Sequence, residues 1–301
     1  MNDFIDKLIG KHPEAPDFFS DWLICEDMPI PTDQQNKKHR KLTEQDDKRD
    51  NAVEQIAKWL LKHHFMPSKL ERLIRKKELL DKYNLLPKSD KTKKGAFGEI
   101  IFTEYLLSVT NLVVSFYRLR FNGNTDQSLK GDDILFFDKE NMKNKILLGE
   151  SKYISDASGT GKATIQKIVD GLKNGKLPLS LSQVEAELDK VGDTGLADLI
   201  SELLADLPNY KDKIVYVGFL MGNKMDSPPS ADIVHQVETH LNSDNPKFAM
   251  ISLGIKESVA FIEKAYEKAN KLYENLDDAI KTEIFTNEQR QLVVPIPSRN
   301  E

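Results

Sequence analysis

Apolar residues recur along this chain at two spacings, one suited to helices and one to strands. Ile134 to Phe137 and Ile146 to Leu148 are continuous apolar runs of strand length, and the polar stretch 138–145 between them suits a hairpin loop. Leu112 to Phe121 predicts a strand ahead of that hairpin. Lys213 to Met221 and Phe248 to Gly254 predict buried strands that extend the sheet, and Leu292 to Val294 a short terminal strand. Helical spacing appears from Thr43 to His63, where Val53, Ile56, Trp59 and Leu60 form an apolar stripe that reads as core. Gly95 to Leu107 is apolar nearly all round, the mark of a buried helix. Further helices are expected around Thr164 to Leu172, over Leu181 to Leu204 with a break at Gly192 to Gly195, and over Ser258 to Leu276. Pro67 starts a second N-terminal helix, Pro87 to Lys94 reads as a linker, and proline-punctuated residues 1–42 read as irregular. The expected division is an N-terminal irregular and helical region, 1–90, followed by a sheet-bearing domain, 91–301.

The hairpin carries the candidate chemistry. Antiparallel alignment of Ile134 to Phe137 with Ile146 to Gly149 sets Asp133 opposite Glu150, where cross-strand side chains lie about 5 Å apart. Strand alternation puts Glu150 and Lys152 on one face, roughly 6.6 Å apart. A hard cation such as Mg²⁺ or Mn²⁺ takes oxygen ligands, commonly one or two carboxylates, and leaves positions for water and phosphate. Asp133 and Glu150 are therefore candidate metal ligands. Lys152 would orient water or offset negative charge developing on phosphate. A solvated hairpin end would show the same spacing, but both carboxylates abut apolar runs, which favours the rim of a covered core. Asp132 competes with Asp133; the latter is preferred because it touches the apolar run and pairs across to Glu150.

Glu99 lies inside the apolar helix, beside Gly95 and Gly98, which permit close approach of another backbone. Glu104 sits about 140° further round and cannot serve the same site. A capping carboxylate near the first turn is the plainer reading of Glu99.

Helix with early glutamate, strand, Asp133 strand, Glu150-Ser151-Lys152 strand and helix: this order resembles the PD-(D/E)xK nuclease superfamily, although no proline precedes the aspartate. More narrowly, Gly95, Gly98, Glu99, Gly131, Asp132, Asp133, Glu150, Ser151 and Lys152 resemble the HamA family, the small subunit of the Hachiman anti-phage system. The resemblance implies an α/β fold with an αβββαβ core, a central mixed sheet flanked by helices. It implies Glu99, Asp133, Glu150 and Lys152 as catalytic residues, with Gln166 and Asp132 in support. It further implies Mg²⁺-dependent (or Mn²⁺-dependent) DNA degradation, restrained by a partner superfamily-2 helicase subunit (HamB-like). A nuclease-like scaffold without activity and a stand-alone restriction-type endonuclease are the alternatives.

Composition bounds these readings. The single cysteine, Cys25, allows no internal disulfide and fits a reducing cytoplasm. The start lacks a signal-peptide pattern, and no apolar run approaches membrane-spanning length, so no membrane role is expected. Gly159 to Thr164 imitates a phosphate-binding loop, but Asp156 replaces its first glycine and Ala163 follows Lys162 where a hydroxyl is needed. The formal net charge of −5 argues against strong autonomous DNA binding. Between Ser68 and Lys94, however, ten basic residues stand against four acidic ones. Arg72, Arg75, Lys76, Lys77 and Lys94, together with Lys162, are the candidate DNA-binding cations.

Overall fold

A computed structural model describes residues 7–31, 34, 36–80, 82–121, 132–138, 140–154, 162–173, 177–223, 230–241 and 246–286. The strands are β1 (Leu23–Met28), β2 (Lys37–Glu44), β3 (Val113–Val114), β4 (Ile134–Phe137), β5 (Ile146–Ile154), β6 (Ile214–Asn223) and β7 (Lys247–Ile255). The helices used below are α1 (Phe18–Trp22), α2 (Arg49–His64), α3 (Pro67–Arg75), α4 (Asp90–Val109), α5 (Lys162–Lys173), α6 (Leu177–Val191), α7 (Thr194–Ala205), α8 (Ser230–His240), α9 (Ser258–Glu274) and α10 (Asp278–Phe285).

The strands form one mixed sheet in the order β1-β2-β7-β6-β5-β4-β3. β2, β7, β6 and β5 run parallel to one another, while β1 pairs antiparallel with β2, and β4 with both β5 and β3. Strand alternation divides the core between two faces. Leu147, Val217, Phe219 and Ile251 join a cluster with α2, α4 and α9. Leu148, Leu220 and Met250 join a second cluster with α5, α6, α7 and α8. The fold is thus mixed α/β, with helices covering a seven-stranded sheet. The order α4-β3-β4-β5-α5 followed later by β6 matches the expected core, with α6 and α7 inserted before β6.

Several sequence expectations need correction. Residues 1–42 are not irregular throughout: α1, β1 and most of β2 lie there, and β2 pairs with β7 from Lys37 beside Phe248. The run KKHRKLTE hides its strand because its cations find distant partners. Arg40, 1% exposed, donates to Asp27 and to the Gly10 carbonyl, and His39 bonds Ser252 at 3.0 Å. The helix expected from Thr43 begins at Arg49. The supposed linker 87–94 ends early, because Ser89 caps α4 and helix runs from Asp90. The strand expected over Leu112 to Phe121 shrinks to Val113–Val114, followed by a 3₁₀ turn over Arg118–Phe121. The break at Gly192 is real, with φ of +79° at that residue. Leu292 to Val294 and Gly159 to Gly161 lie outside the described residues. Among the described residues, no helix is long and apolar enough to cross a membrane.

α4 is buried along most of its length because it lies against β5 and β6. Phe102 stacks on Phe219 with ring centroids 4.9 Å apart. Its ring fills the space that a Cβ at Gly149 would need, 2.6 Å away. Phe102→Ala should therefore cost about 3–5 kcal/mol of unfolding free energy; urea denaturation of the full chain measures it.

Candidate active site

The hairpin register is the one that the apolar runs predict: Ile134 faces Gly149 and Phe137 faces Ile146. Beyond the last pair, β5 continues as Glu150-Ser151-Lys152 alongside β6. Glu150 is buried, and its carboxylate is in direct contact with the Lys152 ammonium, whose side chain is one-third exposed. The pair therefore joins a sealed acid to a cation that reaches solvent. Asp133, immediately before β4, accepts the Ser151 backbone N–H at 2.9 Å. That bond fixes one carboxylate oxygen against β5.

Glu99 enters from α4, where Gly98 lets the helix approach β5: a Cβ on Gly98 would lie 2.8 Å from the Ser151 hydroxyl. Gly95 has no such neighbour and is not needed for the approach. Glu99 does not touch Asp133 directly. Arg118 joins them, with Nη2 donating to Glu99 Oε2 and to Asp133 Oδ1, each at 2.8 Å. Arg118 Nε reaches the other Glu99 oxygen at 3.3 Å, and Nη1 donates to the Asp132 carbonyl at 3.2 Å. Burial pushes the Glu99 carboxyl up to about 7; Arg118 opposes this, while Asp133 and Glu150 add to it. Burial works against the charge on Arg118, but Glu99, Asp133 and Glu150 outweigh it and raise its pKa. The two shifts look contradictory for an ion pair. They agree because burial is the larger effect at Glu99, whereas at Arg118 the charges of Glu99, Asp133 and Glu150 outweigh it.

Asp132 takes a different direction. It accepts from Ser180 of α6 at 2.8 Å and returns its own N–H to the same hydroxyl at 2.9 Å. It anchors the strand start to α6, and Asp133 is the aspartate beside Ser151 and Arg118. Gln166 is exposed on α5. The α5 position that meets Glu150 is Gly171, where a Cβ would sit 2.7 Å from Glu150 Cδ.

The basic candidates fall in separate places. Arg72, Arg75, Lys76 and Lys77 are exposed on or just after α3, with Arg75 bonded to Glu71 at 2.7 Å. Lys94 lies 5.6 Å from the ring centre of Tyr153, on the strand that carries Lys152. Lys162 is exposed at the start of α5, 4.0 Å from Asp232.

Glu104 belongs elsewhere, as its helical angle requires. It accepts from Lys62 at 2.9 Å and from His63 at 2.7 Å. Burial pushes its carboxyl up, but Lys62 and His63 prevail and hold it at about 2. Burial lowers His63 to about 4, leaving a neutral imidazole.

Among the described residues, no three His, Cys, Asp or Glu side chains are grouped so that they could hold a metal ion. The donor set of Asp133 and Glu150 suits a cation that keeps open positions, since Mg²⁺ commonly takes only one or two carboxylates. Sequence reasoning missed Arg118 and Gly171. For Arg118 a signal existed: a charged residue inside the run Phe116-Tyr117-Arg118-Leu119 needs a buried partner. For Gly171 none did.

Comparison with known proteins adds a family to this geometry. The family model described as HamA matches residues 16–269. The chain is 35% identical over 276 residues to the Hachiman protein HamA of Bacillus cereus, covering 88% of this chain and 94% of that relative.

Two outcomes follow from the contacts. In Gly171→Ala the new methyl must push the Glu150 carboxylate aside at the far end of its side chain, so thermal stability should change less than any activity of that carboxylate. Equal losses in melting temperature and activity would contradict this. The Glu104 carboxyl is held at about 2, below its ordinary 4.5, so its stabilisation is complete above pH 4.5 and is lost as pH falls toward 2. Glu104→Gln should destabilise the chain by about 3–5 kcal/mol at neutral pH, because Lys62 loses its buried partner. It should also flatten the acid limb of stability against pH, measured by denaturation from pH 6 downward.

Proposed function

The chain belongs to the HamA family, and on that premise we propose that it is a metal-dependent DNA nuclease, an effector of anti-phage defence controlled by a partner superfamily-2 helicase. The observation that carries this reading is the meeting of Asp133, Glu150 and Lys152 at the end of the β4–β5 hairpin, with Glu99 joined to them through Arg118. A scaffold has no need of three carboxylates whose mutual repulsion must be offset by a buried guanidinium.

In this reading Asp133 and Glu150 hold Mg²⁺ or Mn²⁺. Such an ion, when bound, supplies Lewis acidity and a lowered pKa for a coordinated water. The chain's own groups do the rest. The Ser151 N–H holds Asp133 in place. Gly171 leaves room for Glu150 to lie flat beneath α5. Lys152, tethered to Glu150 but partly exposed, donates to an incoming phosphate oxygen or orients the attacking water. The buried apolar flanks of both strands exclude bulk solvent and strengthen these charges.

DNA capture is delegated in part. The exposed cations Arg72, Arg75, Lys76, Lys77 and Lys162, with half-buried Lys94 near Tyr153, would contact phosphates on a chain that is acidic as a whole. Binding of that kind is weak and falls with salt, which suits delivery by a partner that engages DNA.

Purified chain, alone and with its helicase, should be incubated with plasmid DNA and Mg²⁺. Glu150→Gln and Lys152→Ala should each lower cleavage by about 10²-fold or more without unfolding the chain. Asp133→Asn should do the same, while Asp132→Asn keeps cleavage. Full activity in a folded Glu150 or Lys152 variant would refute the assignment. Reversal of Arg75, Lys76 and Lys77 to glutamate should weaken duplex binding and reduce its salt slope, followed by fluorescence anisotropy.

A further inference from the structure

Arg118 has no part in the metal or phosphate chemistry of the nuclease reading, although it touches two of the site's acids. We propose that its guanidinium is the resident cation of the metal-free site, and that a divalent ion displaces it from Asp133 while it stays on Glu99. The proposal rests on the nuclease reading above and concerns how tightly that site takes its metal.

The geometry sets the order of release. Arg118 meets Glu99 through two nitrogens, Nε at 3.3 Å and Nη2 at 2.8 Å, one to each carboxylate oxygen. It meets Asp133 through Nη2 alone. Two-point pairing is the stronger arrangement. Exposure points the same way: the Glu99 and Arg118 side chains are each 8% exposed, and that of Asp133 is 17% exposed. Solvent, and any ion arriving from it, reaches the Asp133 contact first. Asp133 does not lose its position when Arg118 lets go, because its other oxygen is held by the Ser151 N–H.

Charge explains why something must occupy the place. Glu99, Asp133 and Glu150 are three acids, and among the described residues Arg118 and Lys152 are cations bonded to them. Without Arg118, Asp133 and Glu99 would both lose the guanidinium they share, and among the described residues no other cation bonds either of them. An ion on Asp133 Oδ1 and an N–H donated to that same oxygen compete for its electron pairs. Arg118 therefore keeps the folded chain intact before metal arrives, and it lowers the affinity for metal by the strength of one charged hydrogen bond.

Mn²⁺ titration of the full chain by isothermal calorimetry tests this, with melting temperature as a second readout. Arg118→Met should bind Mn²⁺ about tenfold more tightly than wild type, the equivalent of one charge-assisted bond. Its melting temperature should be lower than wild type in EDTA and should rise more on adding Mn²⁺. Arg118→Lys keeps the charge but not the two-acid fork, and should also bind more tightly; no gain there would refute displacement. Should Arg118→Met fail to fold, the double variant Arg118→Met/Glu99→Gln removes both buried charges and should retain the gain. Unchanged or weaker Mn²⁺ binding in the folded variants overturns the proposal, while wild-type cleavage that needs metal would leave the nuclease reading standing. A wild-type chain that neither binds Mn²⁺ nor cleaves DNA would sink both.

Discussion

Helices cover both faces of the central sheet, so a side chain on the first half of β5 is buried whichever way it points. Ile146, Leu147 and Leu148 are at most 2% exposed. A charge placed among them would lose its hydration with nothing in return. The constraint relaxes only toward the far end of the strand, and there the sequence changes abruptly to Glu150-Ser151-Lys152. The same logic holds on β4, where the apolar run begins one residue after Asp133. Two covered strands thus deliver their charges to one rim, and the separation of core from chemistry is a matter of one residue.

α4 shows how far this can be pushed. It is nearly all buried, yet it carries two glutamates, and each is tolerated only through a cation from outside the helix. Glu99 meets Arg118 near the hairpin end. Glu104, further round and along, meets Lys62 and His63 of α2. The first cluster has an excess of carboxylates and reaches a partly exposed lysine. The second balances one carboxylate against one ammonium, with a neutral imidazole beside them, and is sealed. The two clusters differ in access to solvent as well as in charge, and only the first has the openness that a substrate requires.

Much of the sheet was legible in the order of residues because its central strands are parallel and doubly buried, and therefore apolar without interruption. The hairpin register was legible for the same reason: a slip by one residue would have exchanged its two faces. What stayed hidden depended on partners far away in sequence. β2 reads as a polar loop because Lys37, His39 and Arg40 look solvated until Glu238, Ser252 and Asp27 are brought beside them. Arg118 lay in an apolar run whose strand character was overestimated, and the turn over Arg118–Phe121 is what aims its guanidinium back at Glu99. Gly171 carried no mark at all, since a helical glycine matters here only for the space it leaves.

The pairing of β2 with β7 has a consequence for how the chain comes to be folded. Glu99, Asp133, Glu150 and Lys152 lie close together in sequence, so the pieces that carry them can meet through contacts of modest separation. β1 and β2 are synthesised long before β7, yet Lys37 finds its neighbour only when Phe248 has been made. Loop closure over such a span adds little to the thermodynamic cost, but it delays completion of the sheet and makes this pairing a late event in folding. During synthesis the N-terminal hairpin must therefore wait, with the hydrogen-bonding edge of β2 uncovered, until β7 arrives to take its place between β2 and β6.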